Sequence, residues 1–174
     1  PQDSLSDQSD IQYPTKPITI VVPFGAGGTT DIAARILADN LPGYLDNATI
    51  VVSNITGGSG TIGTTEVTSS DDDGYTLGCS AAATVAIQPL FGQTSYTLDD
   101  IKPICNIYTM PQVIVASADA PYNTVDEFVE YIKGQGTVNY AIAGRGTVQH
   151  LVCVEWMNQV GITASDLSYS GGSE

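Results

Sequence analysis

The chain has 174 residues, 42% of them hydrophobic and 14% charged, a length and balance that can bury the core of one domain or of two small lobes. Five Lys and Arg stand against 19 Asp and Glu, and the resulting net charge of −14 repels a polyphosphate backbone and argues against nucleic acid as a partner. No apolar run approaches the ~18 residues of a membrane-spanning helix and Pro1 opens no charged-then-apolar leader, so the expectation is a soluble globular protein, either cytosolic or exported with its leader removed.

Residues 1–12 (PQDSLSDQSDIQ) are polar, acidic and aperiodic, and are expected to form a flexible leader. From Tyr13 the pattern alternates. Strands are predicted at 18–22, 49–54 and 76–80, and helices at 31–41, 62–69 and 84–91. Two apolar segments follow, at 104–107 and 113–116. A helix at 124–133, a strand at 139–143, a helix at 147–160 and a strand at 167–169 complete the series. Because the alternation restarts, one lobe is expected over 13–107 and a second over 108–174. Alternating βα units predict parallel sheets with helices on both faces and a ligand at the carboxyl ends of the strands.

Three Gly- and Thr-rich turns fall at that end: GAGGTT (25–30), GGSGTIG (57–63) and GRGT (144–147). Glycine lets backbone approach a ligand, and Thr or Ser supplies a hydroxyl or caps the helix. None of the turns carries the lysine of a phosphate-binding P-loop. Gly58, Gly60 and Gly63 match the dinucleotide pattern GxGxxG, but no acidic residue ends the next strand to meet a ribose. A nucleophile elbow around Ser59 is spoiled by Thr61, and His150 is the sole histidine. Cys79, Cys105 and Cys153 form no CxxC metal knuckle and read as buried small hydrophobes, with one bridging pair left open.

YPTKPITIVVPFGAGGTTDIAARILADNL, VVSNITGGSGTIGTTEV, SDDDGYTLGCSAAATVAIQPLF and VNYAIAGRGTVQHLVCVEWMNQVGI, in this order, resemble the Bug-type (TctC-like) extracytoplasmic solute receptors of tripartite tricarboxylate transporters. The resemblance implies a periplasmic-binding-protein-like (type II) α/β fold of two lobes around a cleft. It also implies a receptor without catalysis, cofactor or metal, which captures a small carboxylate, whether a di- or tricarboxylate or an acidic amino acid, and delivers it to membrane permease subunits. The protein would then be periplasmic or lipid-anchored at the outer face of the cytoplasmic membrane. The alternative from the residues is a nucleotide- or cofactor-dependent α/β enzyme using the GGSGTIG turn.

In such receptors the turns corresponding to 23–31 and 144–150 hold the ligand's carboxylates. The expected contacts here are therefore Phe24, Ala26, Gly27, Gly28, Thr29, Thr30 and Asp31 on the first turn, and Gly144, Arg145, Thr147 and His150 on the second. Ser80 and Thr84 follow a third strand end and are expected to complete the wall. Each has a plainer reading: turn geometry for the glycines, capping for the threonines, helix stabilisation for Asp31 with Arg35 as its partner, and packing for His150. Arg145 departs from the small residues usual at its position. It either clamps a second carboxylate or is a solvated loop arginine. Members of the family continue past YSGGSE, so the chain reads as C-terminally truncated, and the fragment is expected to self-associate through uncovered strand edges.

Overall fold

Every residue of ITIVV is β-branched and uncharged, the composition of a strand covered on both faces. In the computed structural model, which describes residues 12–169, this run is strand β1 (Ile18–Val22), and Ile18, Ile20, Val21 and Val22 are all buried. Strand β2 (Ile50–Asn54) pairs with it on one side and β3 (Thr76–Gly78) on the other, both parallel, giving the order β2-β1-β3. Ile20 stands level with Val52 and Leu77. Helix α1 (Thr29–Asn40) joins β1 to β2 and lays Ala34, Leu37 and Ala38 on Ile20, Val22 and Cys79. Fully burying a side chain such as Ile20 or Val22 contributes about 1.5–3 kcal/mol, which fixes the strand ends and the turns that leave them.

Helix α2 (Thr61–Thr68) crosses from β2 to β3. It lies close to the end of β1, because a Cβ on Gly63 would meet the Ile55 carbonyl at 2.6 Å and Pro23 Cα at 3.0 Å. The last glycine of the GxGxxG match is thus a packing glycine. The predicted helix at 84–91 divides into a wide π turn (Ala83–Ile87) and a tight 3-10 turn (Gln88–Phe91). Pro89 is the cause, since it lacks the N–H that would carry one pattern through.

The apolar segments at 104–107 and 113–116 join no strand among the described residues, and Ile104, Val113 and Val115 are 79%, 75% and 85% exposed. Pro103 and Pro111 break the run of backbone donors there. The boundary drawn from sequence at 107/108 falls inside this irregular stretch. Beyond it come α3 (Val125–Gly134), β4 (Val138–Ile142), α4 (Val148–Val160) and β5 (Ala164–Ser168), with β4 and β5 parallel. Thr124 caps α3, its hydroxyl accepting the Glu127 N–H, and Phe128 of α3 stacks on Trp156 of α4. Strand β5 begins three residues before its predicted start because polar Ser165 and Asp166 interrupt the apolar pattern without interrupting the ladder. All three cysteines are free; Cys79 is buried, but Cys105 is exposed, so the expectation of three buried thiols is corrected. Of the expected leader, residues 1–11 lie outside the described residues.

Candidate functional site

In the order β2-β1-β3, β1 lies between the strand it leads to and the strand that returns beside it, and the carboxyl ends of β1 and β3 form the switch point where parallel sheets of this kind take ligands. The turn out of β1 forms one side. Gly27 has φ +80°, which disfavours any side chain, while Gly28 has φ −73° and stands at the N-cap of α1 with no side chain to cap it. The first helical bond runs from the Ile32 N–H to the Gly28 carbonyl at 2.9 Å. The amides of Thr29, Thr30 and Asp31 precede it, so they are the helix's unshared donors and carry its positive end.

Asp31, in the first turn of α1, is 2% exposed. Its Oδ2 accepts the Gly27 N–H at 2.8 Å and Arg35 Nε at 2.9 Å; its Oδ1 accepts Arg35 Nη2 and Asn54 Nδ2, both at 2.9 Å. Asn54 Nδ2 also donates to the Phe24 carbonyl at 3.0 Å, and Asn54 Oδ1 accepts Arg35 Nη2 at 3.1 Å. The Arg35 guanidinium, above all, with the Gly27 and Asn54 donors, holds the Asp31 carboxyl down at about 2 against the cost of burial. The carboxylate therefore stays ionised and is fully shared inside the protein.

On the β3 side of this switch point, the Cys79 N–H bonds the Val21 carbonyl and brings the residues after β3 against β1. Ser80 follows, and its Oγ is the one buried side-chain polar atom among the described residues left without a partner. Such a hydroxyl costs about 1–3 kcal/mol unless something bonds it. Thr84 is buried, and a Cβ on Gly60 would meet it at 2.9 Å and Phe24 at 3.2 Å, so Phe24, Gly60 and Thr84 touch. Thr30 Oγ1 shares a 2.9 Å hydrogen bond with Tyr108 Oη, which ties the irregular stretch to the first turn.

The turn out of β4 reaches the same wall. Gly144 and Gly146 have φ +111° and +74°; a Cβ on Gly144 would lie 2.7 Å from Ser59 Oγ, and one on Gly146 2.6 Å from Gln88 Nε2. Gln88 Nε2 donates to the Arg145 carbonyl at 2.8 Å. Thr147 caps α4: its hydroxyl donates to the Gly144 carbonyl at 2.8 Å and accepts the His150 N–H at 3.3 Å. His150 Nδ1 accepts the Gly146 N–H at 3.0 Å, so a neutral ring carries its proton on Nε2.

Two of the expected contacts are already engaged within the protein. The Asp31 carboxylate has four protein donors and none of it is left for a ligand's ammonium group. Arg145 presents Nε and Nη2 to Asp166 Oδ2 and Oδ1 at 2.7 and 3.0 Å, so its fork is filled by a carboxylate of β5. Asn54, Gln88, Tyr108 and Asp166 escaped the sequence reading, and Ser59 entered it only as a spoiled nucleophile elbow. Only Asn54 left a trace, as a polar residue closing the apolar run of β2. Two hollows lie elsewhere and offer little to an anion. One on α4 is lined by Leu151, Val152, Glu155, Trp156 and Gln159, and the other holds a Lys16 already bound to Asp73 at 2.8 Å. Among the described residues no group of His, Cys, Asp or Glu is arranged for a metal, and no helix is long and apolar enough to cross a membrane.

The fold is that of the periplasmic binding proteins. The chain aligns with MatC of Rhodopseudomonas palustris with bound malate at a TM-score of 0.77 and 27% identity, covering 91% of this chain and 55% of that one. It aligns with the periplasmic binding protein BugD at 0.66 and 31%, covering 92% and 54%. Residues 33–174 match the tripartite tricarboxylate transporter family receptor, TctC, and the chain belongs to that family. Protein BugT of Bordetella pertussis is 31% identical over 163 residues, 91% of this chain and 50% of the relative. The chain spans about half the length of the curated relatives it matches. Its family and solved neighbours are periplasmic solute-binding receptors and not enzymes.

Proposed function

We propose that the protein is an extracytoplasmic receptor that captures a small carboxylate and passes it to the membrane permease subunits of a tripartite tricarboxylate transporter. Family membership and the malate held by MatC support the reading. The observation that carries it is local: the N-terminus of α1 has no side-chain cap, Cys79 Sγ lies 3.8 Å from the Thr30 carbonyl in its first turn, and the buried hydroxyl of the next residue, Ser80, lacks a partner. A carboxylate there gains from the helix end and from neutral donors, each charge-assisted hydrogen bond contributing about 1.5–3 kcal/mol.

In this reading the ligand is met by the amides of Thr29 and Thr30, by the backbone at Ala26 and by the Ser80 hydroxyl, and Gly28, whose own N–H bonds the Gly25 carbonyl, leaves room for its approach. Phe24 and Thr84 form the wall. Residues 13–107 and 108–174 contribute to opposite lobes, with Gly144, Thr147 and the His150 Nε2–H facing from the second. Gly27 gives the turn its shape, its N–H being taken by Asp31. A lipid anchor would fit an extracytoplasmic receptor as well as free diffusion in the periplasm.

Thermal-shift measurements on the full-length protein with malate, succinate, citrate, aspartate and NAD test this. A saturable rise with one or more carboxylates, none with NAD and no turnover is the expected result. Stabilisation by NAD alone would refute it.

A further inference from the structure

We propose that Arg35 is a positioning residue that lets a ligand carboxylate share the N-terminus of α1 with the buried carboxylate of Asp31. This rests on the receptor reading above and adds to it a condition on charge.

Asp31 takes the Gly27 N–H and so sets the left-handed turn that opens the helix. That service has an electrostatic consequence. A buried negative charge now occupies the first helical turn, the positive end to which a ligand anion would be drawn. Two like charges at one helix end repel, and water screens a buried one poorly.

Arg35 answers from one turn along the same helix. Its fork meets both Asp31 oxygens at 2.9 Å while half of its side chain remains exposed, and Asn54 closes the remaining side with a neutral amide. The turn is thereby pinned by an anion yet carries no net charge. The other cations do not serve: Lys16 is bound to Asp73, Lys133 to Glu130 and Arg145 to Asp166, and Lys102 lies on the irregular stretch. Arg35 thus acts on affinity by cancelling Asp31, without touching the ligand.

The test compares Arg35→Gln, Asp31→Asn and the double variant in the full-length protein by calorimetry. The probe is whichever of malate, succinate, citrate and aspartate binds the parent most tightly, measured at about 0.05 and about 0.5 M salt. Arg35→Gln should weaken binding at least about ten-fold at low salt, and the loss should shrink at high salt. The double variant should bind within about three-fold of Asp31→Asn alone, because no orphan charge remains. Melting temperatures identify any variant that fails to fold, and the double variant, which lacks the ion pair altogether, separates charge from structure. A double variant as weak as Arg35→Gln, or a loss indifferent to salt, would show a purely structural role and overturn the proposal. A parent that binds none of the four probes overturns the receptor reading itself, and this inference with it.

Discussion

Replacing Asn54 with alanine removes the clasp between the end of β2 and the turn that leaves β1. Three hydrogen bonds go: those to the Phe24 carbonyl, to Asp31 Oδ1 and from Arg35 Nη2. One is between neutral groups, worth about 0.5–1.5 kcal/mol, and two involve charged groups, worth about 1.5–3 each. They share atoms and are not additive, and Asp31 keeps Gly27 and both Arg35 donors, so the net loss is about 2–3 kcal/mol. For a chain of this size that is a fall of roughly 4–12 °C in Tm. Asn54→Asp should be worse at neutral pH, since it sets a second carboxylate against Asp31 and the Phe24 carbonyl, and should recover as the pH falls toward about 4 and the new carboxyl is protonated. Thermal and denaturant unfolding of the parent and both variants measure this. An Asn54→Ala protein within about 0.5 kcal/mol of the parent, or an Asp variant more stable than the Ala variant at neutral pH, would refute the claim that Asn54 fixes the turn.

The Asp31 carboxyl is held at about 2 in the folded chain, below its ordinary 3.8, so its contribution is present above about pH 4 and is lost as the pH falls toward 2. With Arg35 half exposed and solvent screening the pair, that contribution is about 1–2 kcal/mol, and acid unfolding of Asp31→Asn should lack this component while the parent shows it. Arg145→Ala should change affinity for mono- and dicarboxylates alike and by less than about 1 kcal/mol, because its fork belongs to Asp166; a selective loss of dicarboxylates by calorimetry would return Arg145 to the ligand. The 174-residue chain, with Ile104, Val113 and Val115 largely exposed, should self-associate in light scattering, and a strict monomer across concentration would count against it.

Wherever local pattern decided the outcome, the structure could be read in advance. The β-branched run of β1 and the restart of the alternation before β4 come from periods that act over a few residues. The glycines at 27, 144 and 146 declared their turns because positive φ leaves few other choices. Partnerships across the fold left no such mark. Arg145 and Asp166 are 21 residues apart, Thr30 and Tyr108 are 78 apart, and nothing near either residue announces its mate. The internal partners of the two charged residues singled out as ligand contacts were illegible for this reason: their type fitted the chemistry, but their bonding is decided by neighbours brought close only on folding. The GxGxxG match, already weakened by the missing acidic residue, has a packing explanation, since Gly60 and Gly63 make room for Thr84, Phe24, Ile55 and Pro23.

The most direct test of the central claim is a crystal structure of the full-length protein with its tightest-binding small carboxylate. The account predicts a ligand carboxylate within hydrogen-bond distance of the Thr29 and Thr30 amides, with Ser80 Oγ now bonded and Asp31 still held by Arg35 and Asn54. A ligand seated elsewhere, or one that reaches Asp31 or the Arg145 fork in place of the helix end, would contradict it.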